Sequence, residues 1–199
     1  MSGLDVHLFQ VINGDLSNAV FDLLMPFITR PGPFIIPLTL IGVGLVVWGG
    51  RKGRILVVMA LLLLGVTNEV SEQLKLLFQR PRPCLALETV RLLVGCSKGN
   101  FSFPSSHASN ITAQALLFAS SYRPIAVPLF LVAAAVGYSR VYVGVHYPVD
   151  VVGGVLVGLA CGAVFIFLTR EVERRLPKRQ PTTDEQRPTA DDRQPTTDN

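Results

Sequence analysis

Apolar residues in this chain come in long, nearly unbroken runs separated by short polar knots, a pattern of membrane spans rather than of amphipathic surface helices. The runs at 33–50, "PFIIPLTLIGVGLVVWGG", and 55–78, "ILVVMALLLLGVTNEVSEQLKLLF", are each long enough to cross about 30 Å of hydrocarbon at about 1.5 Å per residue. Three more spans are expected at 108–122, 125–143 and 149–169, the last apolar throughout except for Asp150. Ahead of them "VHLFQVI" has the pattern of an interfacial helix, and "LSNAVFDLLMPFIT", short and carrying Asp22, is taken as the first of six crossings. The expected fold is therefore all-α, a polytopic membrane helical bundle of about six transmembrane helices.

Composition agrees: 49% of the 199 residues are hydrophobic and only 16% are charged, too apolar for a soluble domain of this size. The first positive charge is Arg30, so the N-terminus lacks the basic segment of a secretory signal peptide. From Pro177 the chain becomes polar, and "QPTTD" occurs twice; residues 1–176 are expected to form one domain and 177–199 a disordered cytoplasmic tail.

Six crossings place both termini on one side, together with Arg51, Lys52, Arg54, Arg123, Arg170, Arg174, Arg175, Lys178 and Arg179. The excess of positive charge makes that side cytoplasmic in a bacterial-type inner membrane, with the loop at 79–104 facing outward. The formal net charge of +4 is spread among span ends, which argues against nucleic acid as a partner. Cys84, Cys96 and Cys161 lack metal-type spacing. Cys84 and Cys96 share the outer loop, where a disulfide and two free thiols are both open.

The chemistry concentrates in three clusters at helix ends: "KLLFQRPRP" (75–83), "PSSH" (104–107) and "SRVYVGVHYPVD" (139–150). They are separated by even numbers of crossings, so all three reach the same face. Lys75, Arg82 and Arg140 supply three cations, and guanidinium forks suit phosphate oxygens. Ser105 is a plausible helix cap after Pro104, leaving the amides of Ser106 and His107 to receive an anion. Pro148 opens a helix with Asp150 in its first turn, within reach of His146. An imidazole oriented in this way can attack phosphorus, while His107 protonates the leaving oxygen. Glu72 sits one turn before Lys75, in position to hold it. No carboxylate cluster suited to two magnesium ions accompanies these residues, so the expected chemistry is metal-independent and needs no cofactor.

Lys75, Arg82 and Pro83 (K-x6-RP), Pro104 to His107 (PSSH), and Ser139, Arg140, His146 and Asp150 (SR-x5-H-x3-D) together resemble the three-part signature of the type 2 phosphatidic acid phosphatase (PAP2) superfamily. That superfamily also includes bacterial acid phosphatases and vanadium haloperoxidases. The resemblance implies His146 as nucleophile, Asp150 as its partner and His107 as general acid. It makes Lys75, Arg82, Ser105, Ser106 and Arg140 phosphate ligands, Ser106 mainly through its backbone amide. Ser106 departs from the pattern, which usually has Gly there. The implied function is hydrolysis of a lipid phosphate monoester or pyrophosphate at the outer leaflet through a phosphohistidine. Undecaprenyl pyrophosphate is the preferred substrate; phosphatidylglycerol phosphate, phosphatidic acid and lipid A 1-phosphate are alternatives. A lipid phosphotransferase and a silent lipid-binding protein stand beside the hydrolase. Gly154, Gly158 and Gly162 mark a close-packing helix face, within the monomer or between copies in a homo-oligomer.

Overall fold

The computed structural model of the protein describes residues 3–96 and 101–176, and their regular structure is entirely helical. The expected polar tail lies outside the described residues. Helix α1 (Gly3–Gln10) runs into a π-helical turn (Val11–Asp15) and is followed by α2 (Ala19–Thr29) and α3 (Gly32–Val47). Next come α4 (Gly50–Phe78) and the single turn α5 (Pro83–Ala86). Helices α6 (Ser106–Ser121), α7 (Ala126–Tyr142) and α8 (Pro148–Arg175) complete the described residues.

The boundaries follow from local chemistry. Asn18 caps α2 by accepting the Phe21 N–H at 2.9 Å. Helix α4 ends where Gln79 turns left-handed (φ 47°), just ahead of Pro81. Pro31 breaks the path between α2 and α3, which meet at 48°.

Helices α4, α6 and α8 enclose Leu56, Met59, Leu63, Ala113, Leu117 and Phe165. Along the α6–α8 seam the approach is closer than side chains allow. A Cβ at Gly154 would lie 2.5 Å from the Ser105 carbonyl oxygen, and one at Gly158 would lie 2.4 Å from that of Ser109. At Gly162 a Cβ would meet Leu116 at 3.0 Å. These glycines are buried inside the monomer, where α6 packs on them, as the first of the two readings of this face expects.

The outward faces are apolar. Ile36, Leu38, Leu61, Leu131, Leu156 and Phe167 are all more than 60% exposed, and α3 buries no residue at all. Water would not tolerate that surface, whereas hydrocarbon favours it. Gly50–Ala86, Arg123–Tyr142 and Pro148–Arg175 are long and apolar enough to cross a membrane, and α2 with α3 forms a bent fourth candidate. Helices α6 and α3, at 16 residues each, are short for a crossing, and α6 stands apart in having its small residues enclosed by its neighbours.

The bundle has two distinct ends. At one, Arg51 donates to the Glu173 and Leu176 carbonyls and Lys52 to that of Ser121, joining the start of α4 to the finish of α8 and α6. At the other, Lys75, near the finish of α4, meets Ser106 at the start of α6. The N-terminal segment belongs to this second end. Asp5 accepts the Val149 N–H at 3.0 Å, and Asn13 donates to the Tyr142 carbonyl at 2.7 Å. Both ends of α2 also stay there, the Asn18 N–H bonding the Tyr142 hydroxyl and Thr29 bonding Arg140.

Two expectations are thereby corrected. Helix α2 lies across the end of α7 instead of making a first crossing, because Asp22 is held by Arg91 and the Tyr142 hydroxyl (2.7 Å each) at that end. The described N-terminal segment and the finish of α8 therefore lie at opposite ends of the bundle, not at the shared end expected of them.

Gly158→Ala tests the seam. The added methyl meets backbone and Thr112 Cβ (2.9 Å) rather than a flexible side-chain tip. Overpacking of this kind costs about 1–3 kcal/mol; the expected outcome is a lower melting temperature of the detergent-solubilised protein, read by intrinsic fluorescence.

Candidate active site

All three polar clusters meet at the second end. Ser105 opens α6, its hydroxyl facing the Ala108 N–H at 3.5 Å. Its own N–H is donated to the Asp150 carbonyl at 2.9 Å, so the second and third clusters are joined through backbone. Ser102 performs the same task for the first cluster, its N–H reaching the Arg80 carbonyl at 2.8 Å and its hydroxyl the Pro81 carbonyl at 3.2 Å.

His146 is buried in the short link between α7 and α8. Arg82 Nη1 lies 3.4 Å from its Nε2 and 3.3 Å from the Val145 carbonyl. A guanidinium can only donate, so Nε2 carries the lone pair and the proton resides on Nδ1. Nδ1 faces Asp150 Oδ2 at 3.6 Å, longer than a hydrogen bond, so Asp150 acts on the ring by charge and orientation in this state. Burial pushes the His146 pKa down to about 4, with the Arg140 and Arg82 charges adding to the effect and Asp150 opposing it. The imidazole is neutral, with its lone pair turned toward the cations.

Asp150 is fully buried. It accepts the Tyr147 N–H at 2.8 Å through Oδ2 and Arg80 Nη1 at 2.6 Å through Oδ1. Lys75, also buried, donates to Glu72 at 2.6 Å and to the Ser106 hydroxyl at 2.5 Å. The expected Glu72–Lys75 contact is thus present. Ser106 adds a side-chain contact to the lysine that a glycine could not make. Arg140 Nη1 donates to Thr29 at 2.6 Å, while its Nε is buried without a protein partner. Half-buried His107, in the first turn of α6, lies within electrostatic range of Arg140, Lys75, Arg82 and His146, at the same end of the bundle. All eight residues singled out in the sequence are therefore brought to one place.

Four neighbours were not singled out. Arg80 lies inside the first cluster, and the doubled Arg-Pro of "RPRP" was its only visible signal. Tyr147 lies under it, with Arg80 Cζ 4.1 Å from the ring centroid. Asp5, which pairs with Arg80, and Thr29 come from the N-terminal segment and carry no local motif. Cys84 and Cys96, left open by sequence, form a disulfide in the loop beside the site. Among the described residues no group of three or more His, Cys, Asp or Glu side chains is placed to hold a metal ion.

Comparisons with known proteins give a consistent picture. The undecaprenyl-diphosphatase BcrC of Bacillus subtilis is 32% identical over 167 residues, covering 81% of this chain and 82% of that protein. The crystal structure of LpxE from Aquifex aeolicus superposes with a TM-score of 0.69 at 30% identity, over 83% of this chain and 96% of that one. The crystal structure of a transmembrane PAP2-type phosphatidylglycerolphosphate phosphatase from Bacillus subtilis gives 0.64 at 26% identity, covering 90% of each. The family model of the PAP2 superfamily matches residues 53–174, a stretch that holds all three motifs, and the chain belongs to that superfamily.

Proposed function

We propose that this PAP2 superfamily member is a membrane lipid phosphatase whose nucleophile is His146 and whose preferred substrate is undecaprenyl pyrophosphate. The observation that carries the reading is the 3.4 Å approach of Arg82 to His146 Nε2. It sets a phosphate-binding cation beside the one ring nitrogen that has a lone pair to offer.

Lys75, Arg82 and Arg140 hold the transferring phosphoryl group, with the amide of Ser106 and the helix start at Ser105 completing the cradle. The buried Nε of Arg140, without a protein partner, is a donor suited to a phosphate oxygen. His146 Nε2 attacks phosphorus, forming an N–P bond as the bond to the leaving oxygen breaks. His107 takes up a proton once the bound phosphate offsets the charge of the surrounding cations, and gives it to that oxygen. Asp150 balances the positive charge that develops on the imidazole. Water then cleaves the N–P bond, returning a proton to His107 and releasing inorganic phosphate. The fixed cations stabilise the transition-state charge, so the reaction proceeds without a metal.

Lipid substrates suit this mouth because Leu76, Leu77 and Phe78, next to buried Lys75, are each more than half exposed. A tail can lie on those side chains while its headgroup reaches the cations. The names of relatives favour an undecaprenyl diphosphate over other lipid phosphates. The outward orientation in a cytoplasmic membrane rests on Arg51, Lys52, Arg123, Arg170, Arg174 and Arg175 at the opposite end, and on the disulfide at this one.

His146→Ala is expected to cut release of inorganic phosphate from farnesyl diphosphate in detergent micelles by about a thousandfold or more, with the elution profile of the protein unchanged. Undiminished turnover would remove the nucleophile. Wild-type activity is expected to survive EDTA and to be inhibited by vanadate, which imitates the five-coordinate phosphorus.

The pH profile provides a separate check. His146 is nucleophilic only when neutral, and its pKa lies at about 4, so kcat/KM is expected to fall as pH drops through about 4 rather than near the ordinary histidine value. An acid limb centred near 6.5 would contradict the buried, cation-flanked environment described above.

A further inference from the structure

Arg80 is surrounded unlike the other arginines at this end of the bundle. Its Nη1 donates to Asp150 Oδ1 at 2.6 Å, its Nη2 pairs with Asp5 Oδ2, and its guanidinium stacks over Tyr147. Both terminal nitrogens are committed to carboxylates. Asp5 in turn uses its other oxygen, Oδ1, to accept the Val149 N–H at the start of α8. Asp5 and Asp150 are both buried, so a single cation holds two desolvated carboxylates in a fixed geometry.

That geometry governs the imidazole. Asp150 has two oxygens, and while Arg80 and the Tyr147 N–H each occupy one, the carboxylate cannot rotate away from His146. Charge matters as much as position. Arg80 alone would cancel the negative charge of Asp150 and leave nothing to balance the cation formed on His146. Asp5 restores it, so that the three groups together carry one net negative charge.

Resting on the assignment of His146 as nucleophile, we infer that Arg80 and Asp5 are positioning residues for the reaction, and that the N-terminal helix is thereby part of the catalytic apparatus. Arg80 acts through Asp150 on His146 and takes no phosphate oxygen itself. That separates it from Arg82 and Arg140.

The test compares kcat, KM and inhibition by inorganic phosphate for full-length Arg80→Lys and Asp5→Asn in detergent micelles, with farnesyl diphosphate as the probe. Outer partners that orient metal-ligating imidazoles are typically worth about 10–100-fold, and the same scale is taken for a reacting imidazole. Both variants are expected to lose kcat by that factor while KM and the phosphate inhibition constant stay within about twofold. Because the two residues act as one unit, the double variant is expected to fall no further than the worse single one. Asp5→Asn is isosteric and keeps its acceptor for Val149, so it decides the matter if Arg80→Lys does not fold.

Unchanged kcat in a folded Asp5→Asn would reduce the bridge to structural glue and overturn the inference. A rise of tenfold or more in KM and in the phosphate inhibition constant, with kcat retained, would instead make Arg80 a substrate ligand. His146→Ala measured alongside separates this inference from the assignment beneath it. Residual turnover there would sink the nucleophile whatever Arg80 does.

Discussion

A carboxylate removed from solvent must find its compensation in the protein, and in this chain that requirement falls on Asp150. Its backbone carbonyl receives Ser105 of the second motif, its Oδ2 the N–H of Tyr147, and its Oδ1 the guanidinium that follows α4. The three motifs therefore converge on one residue in the first turn of α8, where a negative side chain is also favoured by the helix dipole. Moving α8 relative to α6 would break the Ser105 link and shift the face that Asp150 presents to His146. The glycine seam prevents that. With Gly154 and Gly158 set directly against the backbone of α6, the two helices have little soft side chain there through which to slide.

The motifs made the reactive end legible because each sits at a helix terminus whose punctuation is local: Pro81 after α4, Ser105 before α6, Pro148 at the first position of α8. Even spacing by crossings then brought them together without any knowledge of packing. The N-terminal segment had no such signal. The apolar residues of α2 match a membrane span in composition, but Asp22, Asn18 and Asn13 are all satisfied by partners about seventy or more positions distant, in the segment between α5 and α6 and at the end of α7. Hydropathy cannot register bonds of that range, so it predicts a first crossing that α2 does not make and puts the N-terminal segment at the other end.

The same blindness explains why Arg80 went unnoticed while Arg82 did not. Two residues apart and each followed by a proline, the arginines are alike in sequence but differ in what faces them. Arg82 looks toward His146, whereas Arg80 looks toward two carboxylates, one of which comes from a helix assigned to the opposite side. Glu72 was legible for the opposite reason: it and Lys75 are neighbours on one helix surface, so spacing alone predicts their contact.

Among the three cations assigned to phosphate, the protein has not treated all alike. Lys75 is held by Glu72 and by the hydroxyl of Ser106, at the position where the family pattern usually has glycine. Arg140 is anchored through one nitrogen to Thr29 and keeps its buried Nε without a protein partner. An ammonium is a compact charge that can swing between acceptors, whereas a guanidinium fixed at one corner presents its remaining donors in a rigid plane. On the proposed roles, the arrangement pairs rigid donors beside His146 with a lysine that exchanges protein oxygens for phosphate oxygens as substrate arrives. Glu72 is half exposed, so its carboxylate returns to water and headgroups at little cost when Lys75 leaves it. The serine hydroxyl in place of glycine adds one more contact to that exchange. It weights the balance toward the unliganded position of the lysine, and leaves the geometry around His146 untouched.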